Sequence, residues 1–120
     1  MNENIRSATY TKEFEEFYAK LTNKEREKYD YVFEIILTKY VVSTKFVKRL
    51  ENTEFYEMRV SLTNNEYRTI IFAIDANSFM ECKKIVMINS FIKKSTKQYN
   101  TEIQKAKRLL KEWEESLWYN

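Results

Sequence analysis

FYEMRVSLTNNEYRTIIFAIDANSFMECKKIVMINSFIKKSTK, residues Phe55 to Lys97, decides the fold. Three apolar runs lie in it, and each carries or ends in cations: Arg59, then Arg68, then Lys93 and Lys94. Apolar residues alternating with polar ones read as half-buried strands. Thr63-Asn64-Asn65-Glu66 reads as a two-residue hairpin turn, because Asn tolerates the positive φ that such turns require. That turn pairs Thr63 with Glu66, Ser61 with Arg68 and Arg59 with Ile70. Glu57, Arg59, Ser61 and Arg68 then share one face, and Met58, Val60, Leu62, Tyr67 and Ile71 form the core face. Two Arg on one face of a strand pair suit a polyanion, and they also suit a merely solvated sheet face.

The third run leaves few polar positions. Ile85, Met87 and Phe91 alternate with Val86, Ile88 and Ile92, so this strand is expected at the centre of the sheet, covered on both faces. After it, Asn100 and Thr101, with Gln104 behind them, read as the cap of a helix. Its seam is Ile103, Ala106, Leu110, Trp113 and Leu117. Lys105, Lys107, Arg108 and Lys111 flank that seam, on a helix docked to the sheet or touching nucleic acid.

Before the strands, the period changes to helical. Phe14, Phe17, Tyr18 and Leu21 make one stripe, and Thr22-Asn23-Lys24-Glu25 is a capping box that starts a second helix, to about Val41. Tyr29, Val32, Phe33, Ile35, Ile36 and Tyr40 give that helix a broad apolar face. A short link between them implies an antiparallel helical hairpin. Ile5 to Tyr10 reads as an edge strand, and Ser43 to Glu54 as a connecting loop or short helix. Helices first and strands grouped after them imply an α+β fold with a mainly antiparallel sheet of three to four strands.

The 120 residues fit one domain, 1–120, without repeats or linkers. A net charge of +3 is mild, but it is unevenly placed: between Lys83 and Lys111 nine cations face one acid, Glu102. That asymmetry points to an anionic partner. With no His and a lone Cys82, the chain lacks the usual zinc ligands and the usual general base. No metal and no cofactor are therefore expected. No Gly is present, which excludes Gly-rich phosphate loops, and no Pro, so turns rest on Asn, Asp, Ser and Thr. No apolar stretch spans a bilayer and no signal peptide is visible, so a cytoplasmic, non-membrane protein is the expectation.

Four pieces in order carry a resemblance: Phe55-Tyr56-Glu57-Met58-Arg59-Val60, Tyr67-Arg68-Thr69-Ile70, Phe91-Ile92-Lys93-Lys94-Ser95-Thr96-Lys97 and Glu102-Ile103-Gln104-Lys105-Ala106. The stretch from about Lys45 to Lys111 resembles the phage-derived branch of the RelE/HigB toxins of type II toxin–antitoxin systems. That family usually has Gly near Asn52-Thr53-Glu54 and Pro near Gln98-Tyr99. The resemblance implies a RelE-like fold and a ribosome-dependent endoribonuclease that cuts mRNA. A cognate antitoxin, often a helix-turn-helix protein, neutralises such toxins. The chemistry needs cations for a phosphorane, a base for the 2′-OH and an acid for the leaving oxygen. Arg59 and Arg68 suit the first role, and Lys93, Lys94 or Glu57 the proton transfers. Lys45, Lys48, Arg49, Phe91 and Lys97 are the candidate RNA-binding residues. The alternatives are a non-catalytic ParE-like gyrase poison and an inactive phage-derived binding module.

Overall fold

In a computed structural model, which describes residues 3–62 and 64–118, five strands form one mixed sheet and three helices cover it. The elements are β1 (Ser7–Tyr10), α1 (Lys12–Ala19), α2 (Asn23–Thr38), β2 (Val47–Arg49), β3 (Phe55–Ser61), β4 (Glu66–Ala73), β5 (Lys84–Ile92) and α3 (Thr96–Trp118). The sheet order is β1-β5-β4-β3-β2, with β1 parallel to β5 and every other pair antiparallel. The α+β class stands. The sheet is larger than expected, because Val47–Arg49, inside the stretch read as a loop or short helix, pairs with the edge of β3. Three residues between polar neighbours give too short a run for alternation to register.

Each helix follows from its caps and stripe. The Thr11 hydroxyl accepts the Phe14 amide and caps α1. Thr22 and Glu25 form the capping box at the start of α2, with bonds of 3.2 and 2.8 Å. Phe17 meets Tyr29 and Phe14 meets Phe33, the antiparallel contacts of a helical hairpin. The hairpin covers one face of the sheet, burying Phe14, Tyr29, Val32 and Ile36 against Met58, Val60, Tyr67, Ile71 and Met87. α3 covers the other, with Ala106 and Leu110 against Phe55, Ile70, Val86 and Ile88. The helix starts at Thr96, so Asn100 and Thr101 lie inside it and do not cap it. Gln98 ties its start instead, accepting the Lys94 amide and donating to the Ile92 carbonyl, both at 2.9 Å. The apolar seam holds through Trp113; Leu117 is 57% exposed, beyond the sheet.

Two registers differ from the expectation. In the β3–β4 hairpin Ser61 faces Glu66 and Arg59 faces Arg68, a register two residues away from the expected one. Four residues separate the strands, and the Leu62 amide bonds the Asn65 carbonyl at 2.9 Å. Thr63, and with it the expected Thr63–Glu66 pair, lies outside the described residues. A shift of two leaves every side chain on its face, so the expected core face survives. In β5 an irregularity between Asn89 and Met87 places Ile88 as an extra residue. Phe91 therefore joins Val86 and Ile88 on the α3 face, and Ile92 packs with Ile85 and Met87. The Thr11 amide and hydroxyl bond the carbonyls of Met87 and Ile88 and hold the bulge.

Asn52 has φ 61°, in the left-handed region, where the resembling family usually carries Gly nearby. Asn is the residue a chain without Gly can place there at least cost.

The Tyr67 hydroxyl donates to Glu25 at 2.6 Å and ties β4 to the α2 cap. The Thr22 backbone amide, and then this hydroxyl, hold the Glu25 carboxyl below its ordinary value. Tyr67 is pushed up to about 12, chiefly by the same bond. A depressed acid stabilises the fold above its unfolded pKa and loses that contribution as pH falls through its folded value; a raised Tyr loses its contribution as pH rises from 10 through about 12. Urea midpoints should therefore fall at both ends of the pH range. Tyr67→Phe should cost about 1 kcal/mol at pH 7, remove the alkaline fall due to this group and shrink the acid one. Equal alkaline limbs in the two proteins would exclude the assignment.

Candidate cationic site on the sheet

The hairpin register sets two adjacent rows across the face covered by α3. One is Lys48, Glu57, Ile70 and Asn89; the next is Arg59, Arg68 and Phe91. Arg59 and Arg68 thus sit directly opposite each other, an arrangement that repels unless an anion stands beside it. Glu57 is that anion. Its Oε1 lies 3.1 Å from Arg59 Nε, and its Oε2 lies 3.9 Å from Arg68 Nε. Arg68 also donates to the Tyr99 hydroxyl at 3.2 Å and the Tyr67 carbonyl at 3.0 Å, and lies 3.6 Å from Glu66. Glu66 in turn accepts from Ser61 at 2.9 Å.

Exposure separates the members. Glu57 is 3% and Arg68 4% exposed, beneath the first turns of α3. The Arg59 side chain is 28% exposed, and its Nε alone is hydrogen-bonded among the described residues. Burial first, and then the Glu57 carboxylate, push the Tyr99 hydroxyl up, so it stays the neutral acceptor of the Arg68 bond. Glu57 Oε2 and Asn89 Oδ1 are buried acceptors without a hydrogen bond among the described residues. Two such atoms on one row make this the least satisfied polar region in the described interior. Asn89 Nδ2 donates to the Glu102 carboxylate at 2.9 Å and so fixes α3 over the row.

The other candidates surround this centre unevenly. Lys93 follows Phe91 by two residues, its amide bonded to the Glu66 carbonyl at 2.7 Å; Lys93, Lys94 and Lys97 are exposed where β5 passes into α3. Lys48 is exposed at the register position opposite Glu57. Lys45 lies at the near end of β2, its Nζ 5.6 Å from the Phe46 ring. Arg49 is set apart: its guanidinium bonds the Thr53 carbonyl at 3.2 Å. Phe91 is 7% exposed, edge-on to Tyr99 with ring centroids 5.4 Å apart, and presents no open face to a base. On α3, Lys105 pairs with Glu13 at 2.6 Å and Arg108 with Glu112 at 3.2 Å. Lys107 and Lys111 remain exposed, outside the salt bridges among the described residues.

Tyr99, Asn89 and Glu102 are not among the site residues expected from the sequence. Ser95 followed by Gln98 is itself a capping-box spacing, and it would have placed Tyr99 on the first turn of α3. Nothing in the sequence marks Asn89, because the bulge that aims it at α3 is set by tertiary contacts. Among the described residues no three His, Cys, Asp or Glu side chains gather to hold a metal ion, and no helix is long and apolar enough to cross a membrane.

No curated protein and no solved structure matches the chain. A family model, described as phage derived protein Gp49-like (DUF891), matches residues 16–111. That span runs from α1 through the whole of the cationic rows to the last buried turns of α3, so the chain belongs to the Gp49-like family of phage-derived, toxin-like proteins.

Proposed function

We propose that this protein is the toxin of a type II toxin–antitoxin system and a metal-independent endoribonuclease acting on mRNA in the ribosome. The observation that carries the reading is the cross-strand meeting of Arg59 and Arg68 with Glu57 beside them. Membership of a phage-derived family and the resemblance to RelE/HigB toxins support it. In the reaction the RNA 2′-oxygen attacks the adjacent phosphorus and the bond from phosphorus to the 5′-oxygen breaks. The products are a 2′,3′-cyclic phosphate and a 5′-hydroxyl. Arg59, the accessible guanidinium, holds the phosphate oxygens as negative charge grows on them. Lys93 and Lys94, exposed just beyond the end of β5, are the candidates to take the 2′-proton and to return one to the 5′-oxygen. Glu57 is the second candidate base. Its part, and that of Arg68, requires Tyr99 to leave the guanidinium. A cognate antitoxin, a helix-turn-helix protein by the same resemblance, would neutralise the toxin in the cytoplasm.

One observation favours a second reading. Glu57 and Arg68 are buried and mutually paired, as structural ion pairs are. A non-catalytic poison that binds gyrase needs neither to be exposed.

The test is induced expression without antitoxin, with mRNA 5′ ends mapped by primer extension. New cuts inside translated codons should fall about 100-fold in Arg59→Ala. Arg59 is partly exposed, so that variant should keep its fold, checked by circular dichroism. Cuts undiminished in Arg59→Ala would remove Arg59 from the mechanism. Growth arrest with intact mRNA would discard the nuclease and turn the search to supercoiling.

A further inference from the structure

The helical hairpin and the cationic row meet at the β2–β3 edge, and the surface there is neither core nor simple solvated face. α2 buries Tyr29, Val32 and Ile36 on its stripe, which leaves Tyr31 pointing away from the core and 56% exposed. Its ring packs edge-on to Phe46, with centroids 6.4 Å apart and planes at 72°. Tyr31 is the exposed ring of the pair, and half-buried Phe46 backs it from the core side. Lys28 Nζ lies 5.5 Å from the Tyr31 centroid and Lys45 Nζ 5.6 Å from that of Phe46. Arg59 closes the depression that these four line, and no carboxylate lines it. Glu27 stands on the adjoining surface with Lys24. Lys28 and Lys45 enter no ion pair among the described residues.

The backbone joins this depression to the candidate site. The Arg59 amide donates to the Phe46 carbonyl at 2.7 Å, the last bond on that side before β3 loses its neighbour. A strand of nucleic acid with a phosphate at Arg59 reaches the two rings by passing round that edge. Aromatic faces interleaved with cations are the usual platform for single-stranded nucleic acid, where bases stack and the backbone is held by charge. An acidic protein segment would use the cations and gain little from open ring faces.

We propose that Tyr31 and Phe46, flanked by Lys28 and Lys45, form a base-stacking subsite for single-stranded RNA beside Arg59. The proposal rests on the reading that the chain acts on RNA, and it adds where the strand lies. Tyr31 is exposed, so Tyr31→Ala should fold.

The probes are fluorescein-labelled octaadenylate RNA, an abasic RNA of the same length and a polyglutamate peptide. Anisotropy titrations at low salt would compare wild type, Tyr31→Ala, Tyr31→Trp and Lys45→Ala. Octaadenylate should bind wild type and Tyr31→Trp alike and Tyr31→Ala about tenfold more weakly. The abasic RNA should bind wild type and Tyr31→Ala equally. Lys45→Ala should weaken both RNAs and flatten the salt dependence by about one charge. Equal binding of octaadenylate by wild type and Tyr31→Ala would overturn the subsite. So would polyglutamate binding tighter than RNA and depending on Tyr31, which would assign the surface to an acidic protein. Absent RNA binding with cuts still mapped in cells sinks the subsite and leaves the nuclease; absent binding and absent cuts sink both.

Discussion

Arg6→Met should lower the unfolding free energy by about 3–5 kcal/mol, read as a fall in the urea midpoint at unchanged slope. The Arg6 side chain is 1% exposed and has no carboxylate partner among the described residues. Five carbonyl oxygens solvate it instead: Phe79 and Ile36 at 3.1 and 3.0 Å, Lys39 at 2.6 Å, and Tyr40 and Met80 at 2.9 and 3.1 Å. Its guanidinium also lies over the Phe79 ring, 4.4 Å from the centroid. Three of the acceptors belong to the end of α2 and the residues after it, where the helix leaves carbonyls unpaired and its dipole favours a cation. The other two belong to the loop before β5. One side chain at the start of β1 thereby joins three segments distant in sequence. Methionine fills the volume and leaves all five carbonyls without these donors. Arg6→Lys keeps the charge but offers three donors without the planar fork, so it should recover only part of the loss. A change below 1 kcal/mol in Arg6→Met would mean that water replaces the guanidinium and that the network is not structural.

Arg6 marks one limit of what the sequence discloses. It stands next to an edge strand among polar residues, and nothing local separates it from a solvated cation. Its role arises from the meeting of α2, the loop before β5 and β1. The elements themselves were legible where periodicity is long or a cap is complete. Phe14 to Leu21, the Thr22–Glu25 box and the seam from Ile103 to Trp113 all lie where their spacing places them. β2 was not legible, since three residues carry no period. The hairpin register was off by two for a related reason: faces repeat every two residues, so the pattern that identifies the core face is blind to such a shift. That same blindness kept Arg59 and Arg68 on one face and concealed that they are direct partners. The bulge at Ile88 reversed the expected sides of Phe91 and Ile92, and Phe91, a candidate for stacking on a base, lies against Tyr99. Of the candidate site, the charged members on β3 and β4 were legible. The groups that bury them, Tyr99 above all, were not, because the start of α3 was placed five or six residues late.

Loss of toxicity in Arg68→Ala would by itself say little about chemistry, because that variant should lose about 3 kcal/mol of stability. Removing the guanidinium takes the Arg68 charge, 3.9 Å from Oε2, away from Glu57, which is 3% exposed and keeps Arg59 at 3.1 Å. Glu57→Gln should be costly for the mirror reason: it leaves Arg59 and Arg68 directly opposed without the carboxylate between them. Replacing both at once, Glu57→Met with Arg68→Met, removes both desolvated charges and should restore stability to within about 1.5 kcal/mol of wild type. Urea unfolding of Glu57→Met, Arg68→Met and the double gives the coupling, expected to exceed 2 kcal/mol in favour of the pair. The folded double variant is then the informative one in cells. If it is stable and harmless while Arg59→Ala is harmless too, the buried pair serves the chemistry as well as the fold, and Tyr99 must uncover it during the reaction. If it is stable and still arrests growth, the pair is scaffolding, and the accessible Arg59 with the lysines at the end of β5 carries whatever the cationic site does.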